Sequence, residues 1–256
     1  MKLNIELVKG LWENARDSMF HALEHISELG STDENKIHHR KWIILSAHLA
    51  AECFLKILLK SLDPSESQFK DSKGRTWFPS LSETLLAIRK FEQSGELKQS
   101  EQKLLDLLEK LNKVRNEIIH RDLPNDIDPS VAAWSILAML RAFSSRIGVA
   151  TREIFDQVPP IETDIVNLIR WHKLGEYQAF VEQSLREDYP NIPFFPQCPN
   201  CGTMAILNDS CESCFVEISR VECRNCMEEY YIFSDQKHRL FFGNVCPNCG
   251  VSPTKD

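Results

Sequence analysis

Apolar residues recur at helical spacing through roughly the first 156 residues of the chain. From about Asn4 to Leu29 they fall at Leu7, Leu11, Ala15, Met19, Leu23 and Ile26, one face of an amphipathic helix. Gly30-Ser31-Thr32-Asp33 breaks it. A second helix is predicted over Lys36 to Leu62, apolar on nearly every side, with His48, Glu52, Lys56 and Lys60 as its polar strip. Such a helix belongs at the centre of a bundle. Its strip either lines a groove or forms a solvent edge with ion pairs four residues apart. Asp63 to Ser80 reads as a long polar loop with Phe69, Trp77 and Phe78 embedded, suited to covering a site or resting on the core. Ser82 is a candidate cap for a shorter helix from Glu83 to about Gln93, ended by Ser94-Gly95. A fourth helix starts near Ser100 and stops close to His120, because Pro124 disfavours helix before it. A fifth begins at Asp128-Pro129 and runs through Trp134, Leu137, Leu140, Phe143, Ile147 and Ile154, with Gly148 as a weak point. Four long helices and a short one predict an up-down helical bundle. No β-type alternation and no repeat is visible in this half.

The fourth helix departs from a simple amphipathic pattern. Leu104, Leu107, Leu111, Val114 and Ile118 make its core-facing stripe, and Leu108 and Ile119 widen it. Arg115 falls inside the widened stripe, so it must reach solvent, find a partner or meet a second subunit. Asn112, Asn116 and His120 step by four along the adjacent flank. Arginine, amide and histidine thus gather at one helix end, with Lys110, Lys113 and Arg121 nearby.

The segment Arg115-Asn116-x-x-x-His120 resembles the signature of the HEPN superfamily, in which an arginine and a polar residue precede a histidine by three further residues. Ala51-Glu52-x-x-x-Lys56 is similar to the second helix of those domains. Together with the helix order, the resemblance covers about Asn4 to Asp156. It implies an all-α domain and, as in many HEPN proteins, a metal-independent endoribonuclease whose two motif helices face each other in a homodimer. Arg115, Asn116 and His120 would then be catalytic, with Glu52 and Lys56 as supporting candidates. An imidazole can take the ribose 2′ proton or protonate the leaving 5′ oxygen. A guanidinium can grip the phosphate and offset its developing charge. The products would be a 2′,3′-cyclic phosphate and a 5′-hydroxyl, with no metal in the catalysis. The resemblance further suggests a toxin or phage-defence effector acting on RNA such as tRNA. HEPN domains that only bind also exist, which leaves a non-catalytic oligomerisation protein as the alternative.

Composition narrows the setting. A net charge of -7 argues against a generally basic, nonspecific nucleic-acid binder. Met1 to Gly10 lacks a secretory leader's apolar stretch, and the charges on the second helix argue against a membrane span. Eight of nine cysteines sit together as pairs, a sign of metal ligation in a reducing compartment, so a cytoplasmic protein is expected. Those pairs are Cys198 and Cys201, Cys211 and Cys214, Cys223 and Cys226, and Cys246 and Cys249. Each Cys-x-x-Cys presents two thiolates from one tight turn, and two pairs complete a tetrahedral site. The segment looks like tandem zinc ribbons with two structural Zn2+. The cysteines are paired in sequence order, a crossed arrangement remaining open. Met204 to Leu207 and Phe215 to Val221 are expected to supply strands for the first ribbon, Tyr230 to Phe233 and Leu240 to Phe242 for the second. Cys53, alone in the second helix, is expected to be a buried packing residue.

The chain therefore reads as a mainly α protein: an HEPN-like bundle over 1–158, a helical linker over 159–196 and a small β-rich zinc-ribbon module over 197–256. The linker holds one or two helices between Thr163 and Asp188, interrupted around Gly175, and a stiff proline-spaced stretch from Tyr189 to Pro196. From Pro196 onward eight acids face five bases, so the ribbons suit a protein partner better than phosphate.

Overall fold

Helix α2 (Lys36–Leu62) is packed on as many sides as its composition requires: α1 (Lys9–Glu28), α3 (Leu81–Arg89), α4 (Gln99–His120) and α5 (Ser130–Ile147) all lie against it. The computed structural model describes residues 8–28, 36–63, 69–70, 76–77, 79–92, 94–120, 129–148, 175–233, 246 and 248–250. By length and hydropathy alone α2 could cross a membrane, yet 67% of its apolar window is buried within the bundle. Ile43, Ile44, Phe54, Leu55 and Leu59 are buried there, each contributing about 1.5–3 kcal/mol on leaving water. Trp12 of α1 stacks on Phe143 of α5 at 3.7 Å and closes the far side of the core.

Three boundaries and one element differ from the sequence reading. The cap of α3 is Ser80, not Ser82. Ser80 Oγ accepts from the Glu83 amide while the Glu83 carboxylate accepts from the Ser80 amide, a reciprocal box that Ser82 cannot form. Pro129 rather than Asp128 occupies the N-cap of α5. That helix stops at Gly148, whose φ of 75° lets its amide reach back to Ser144 O. Gly148 is thus a terminator rather than a weak point, and Ile154 lies outside the described residues. The fourth difference is a short antiparallel pair, β1 (Phe69–Lys70) and β2 (Thr76–Trp77), within the loop that shows no alternation.

Helix α6 (Gly175–Asp188) packs against α4 and α5 through Tyr177, Phe180, Val181 and Leu185. A polar seam lines the contact. Asp188 accepts from Lys98 and from Arg141, each at 2.5 Å, and Ser100 Oγ donates to Glu187. Lys103 also pairs with Gln183. The 163–174 part of the expected linker lies outside the described residues.

The C-terminal part is built from small antiparallel pairs. Strand β3 (Ile206–Leu207) pairs with β4 (Ser210–Cys211), and β5 (Ile218–Glu222) with β6 (Glu229–Phe233). The second pairing corrects the sequence reading, which divides those two strands between different ribbons. The Cys223–Cys226 knuckle is itself the turn that returns β5 onto β6, so local closure wins over a longer hairpin. Leu240 to Phe242 lies outside the described residues.

Candidate functional site

The cysteines gather into two groups of four, Cys198, Cys201, Cys211 and Cys214 in one and Cys223, Cys226, Cys246 and Cys249 in the other. This is the sequential arrangement, not the crossed one. Neighbouring sulfurs stand 3.7 Å apart in the first group and 3.5–3.6 Å in the second. Four sulfurs at about 2.3 Å from one tetrahedral ion lie about 3.8 Å from each other, so both cages fit a bound cation. Among the described residues these are the groups whose ligand atoms converge this closely.

One backbone device recurs at every pair. The residue after the second cysteine has positive φ: 79° at Gly202, 60° at Phe215, 60° at Met227 and 74° at Gly250. Its amide returns to the carbonyl of the first cysteine at 2.7–2.9 Å in all four. Two knuckles use glycine, which takes this conformation freely, and two force it on a larger side chain. Around the first group the sulfurs accept further bonds. The Asn200 amide donates to Cys198 Sγ, Asn200 Nδ2 to Cys214 Sγ, and the Ser213 amide to Cys211 Sγ. Burial pushes the Cys211 and Cys214 thiols well up. Four thiolates in so small a space need a cation's charge to coexist.

The first group is not a detached module. Its cysteines and Phe215 belong to one apolar cluster with the helices. Tyr177 Oη donates to Ser213 O, Gln178 Nε2 to Cys201 O, and the Met204 amide to Glu182, all from or onto α6. Arg141 of α5, only 2% exposed, bonds Asp188 at 2.5 Å and Glu212 at 3.3 Å, tying helix, helix and knuckle together. The proline-spaced stretch takes part, since Phe195 is buried in the same cluster. Among the described residues the second group has a separate cluster, in which Cys223, Tyr230 and Cys246 are buried.

The end of α4 holds the other candidates. Leu104, Leu107, Leu111 and Ile118 are buried, but Ile119 is 45% exposed, so the core-facing stripe is narrower there than the sequence suggests. Arg115 is half-buried and its Nη1 donates to Asn116 Oδ1 at 2.9 Å. His120 is exposed as the last residue of the helix. Glu52 and Lys56 are half-buried on α2. The structure joins Glu52 to this region through a residue the sequence reading left in a polar strip. His48 is buried, with Nε2 3.0 Å from Asn112 Oδ1 and Nδ1 4.0 Å from Glu52. Asn112 Nδ2 in turn donates to Ser82 Oγ, leaving Oδ1 as the acceptor that faces His48 Nε2. Burial lowers the His48 pKa, with the Arg115 charge acting in the same direction, against the Asn112 bond and Glu52. The strip on α2 is therefore sealed against α4 at its His48 end. Cys53 is half-buried against the core rather than fully enclosed.

The fold and its cages define a mainly helical protein with two cysteine tetrads placed to bind metal ions. Compared with family models, curated proteins and solved structures, the chain matches none. Its likeness to HEPN domains rests on the motif residues and the helix order alone.

Proposed function

We propose that the chain is a metal-independent endoribonuclease of HEPN type, carried by a helical bundle and stabilised by two structural zinc ions. The observation that carries the enzymatic reading is the end of α4, where Arg115, already bonded to Asn116, lies five residues before an exposed His120. Those five residues span about 7.5 Å of rise and about 140° of turn. One copy therefore presents its guanidinium and imidazole to different sides. A second copy apposed along α4 would supply His120 to the phosphate that Arg115 holds. The 2′-oxygen would attack phosphorus, its proton passing to the imidazole or to water. The 5′-oxygen would leave with a proton and the cyclic phosphate would remain. Glu52 would act on this site through His48. Cellular RNA such as tRNA is the expected substrate class, as for a toxin or defence effector.

The test uses purified chain and total RNA in magnesium-free buffer with EDTA. Cleavage by wild type, its loss in His120→Ala and in Arg115→Ala, and resistance of an all-deoxy substrate are expected. Equal cleavage by His120→Ala would overturn the catalytic assignment. No cleavage by wild type would favour the second reading, a non-catalytic oligomerisation bundle whose cysteine modules hold a protein partner. Exposed Leu49, Leu86 and Ile119, on the three helices that carry His48, Ser82 and Asn116, favour that reading. Zinc is the expected occupant of both tetrads because four thiolates in tetrahedral array suit it best. Elemental analysis after dialysis should find two zinc ions per chain.

A further inference from the structure

Three histidines unrelated to the α4 motif meet where α1 runs antiparallel to α2. His21 and His25 lie four residues apart on α1, on one helix face. His39 comes from the first turn of α2. The ring of His25 is 4.6 Å from that of His21 and 5.0 Å from that of His39, centre to centre. Most telling, His25 Nδ1 and His39 Nδ1 point at each other across 2.9 Å. Two imidazole nitrogens aimed at one point can share a single proton, or they can share a cation.

We propose that His21, His25 and His39 form a third metal site, distinct from both cysteine tetrads, which takes a divalent transition ion such as Zn2+ or Ni2+. Imidazole nitrogens bind such ions at about 2.0–2.1 Å, which sets two ligands about 2.9 Å apart at a right angle and about 3.3 Å apart in a tetrahedron. The His25–His39 spacing already lies at the first value and reaches the second by side-chain rotation alone. The exposed His21, its ring 4.6 Å from that of His25, brings the third imidazole by side-chain rotation, since its nitrogens do not already converge with the other two as the cysteine sulfurs do, and it leaves the site open to solvent. Trp42 stands beside them, its ring 6.1 Å from His21 and 6.4 Å from His25. Glu24, whose carboxylate lies 3.7 Å from His21 Nδ1, and Glu28 supply negative charge to an incoming cation. Binding requires neutral rings. Burial and then the two neighbouring histidines lower the pKa of His25. Three nitrogen ligands leave coordination positions for water, so this site exchanges its ion readily where the four-thiolate cages do not.

The test is calorimetric titration of the untagged, zinc-replete full chain with Zn2+ at pH 7.5, so that exchange at the tetrads is silent. One further equivalent beyond the two retained on dialysis is expected. His25→Ala and His39→Ala should each weaken it by at least about tenfold, with far-UV circular dichroism confirming that the helices remain. His38→Ala, which alters an exposed neighbour on α2, should leave it unchanged. Absence of a third equivalent in wild type overturns the proposal without recourse to any variant. So does a third equivalent that His25→Ala and His39→Ala keep within twofold. The outcome is independent of RNA cleavage, since none of the three residues belongs to the α4 site.

Discussion

Arg141→Ala is expected to cost the protein about 3–5 kcal/mol, the usual penalty for removing one partner of a buried ion pair. The structure shows where that cost falls. Asp188 keeps Lys98 at 2.5 Å and Ser145 at 2.8 Å, so it retains a cation and a hydroxyl. Glu212, whose side chain is 2% exposed, loses the Arg141 guanidinium in a place where water does not readily replace it. Glu212 follows Cys211 directly, and the next amide, at Ser213, bonds Cys211 Sγ. Damage there should reach the first metal cage. The assay is guanidinium denaturation followed at 222 nm, run beside zinc release against rising chelator. Both midpoints are expected to fall together. The double variant Arg141→Met/Glu212→Gln, which removes both charges of the pair, should recover part of the loss. A change below about 1 kcal/mol would refute the reasoning, as would a large change with metal release from the first cage identical to wild type.

Stripping the metal with a strong chelator, or substituting Cys214→Ser, should lower the melting temperature of the helices themselves, because the cage shares its apolar cluster with α5 and α6; an unchanged helical transition would contradict that continuity. His48 is held below its ordinary pKa by burial, so the unfolded chain takes up its proton first. Its stabilisation is complete above about pH 6.5 and is lost as pH falls through the folded value. Unfolding free energies at pH 7.5 and 5.5 should therefore diverge more for wild type than for His48→Gln, and parallel values would count against the buried neutral ring. Met227→Gly should stabilise the Cys223–Cys226 knuckle by about 0.5–1 kcal/mol, relief of left-handed strain outweighing glycine's entropy, read as slower zinc release; faster release would sink the idea. Ser80→Ala should cost about 1 kcal/mol through loss of the α3 capping box, measured by thermal melting.

How far the sequence could be read depended on whether each determinant was local. The limits of α2 and the end of α4 at His120 follow from apolar spacing and nearby breakers, and the structure places both as the pattern predicts. The cap at Ser80 was legible in its Ser-x-x-Glu spacing to Glu83, which Ser82 lacks, so choosing Ser82 overlooked a local signal. The cysteine pairs announced the cages through their spacing. The left-handed residue that follows each pair was legible at Gly202 and Gly250 but hidden at Phe215 and Met227, whose side chains give no such hint. Contacts between distant segments could not be read at all. His48 with Asn112, Arg141 with Glu212 and His25 with His39 each join residues that look unremarkable in isolation.

The unequal settings of the two cysteine cages carry a consequence for the protein in a cell. Among the described residues the outer cage, Cys223 to Cys249, rests on a handful of enclosed side chains, whereas the inner one, Cys198 to Cys214, is continuous with the helical interior. A falling supply of free metal would therefore empty the outer cage first and leave the bundle standing. Only deeper scarcity would reach the inner ion, and the helices would go with it.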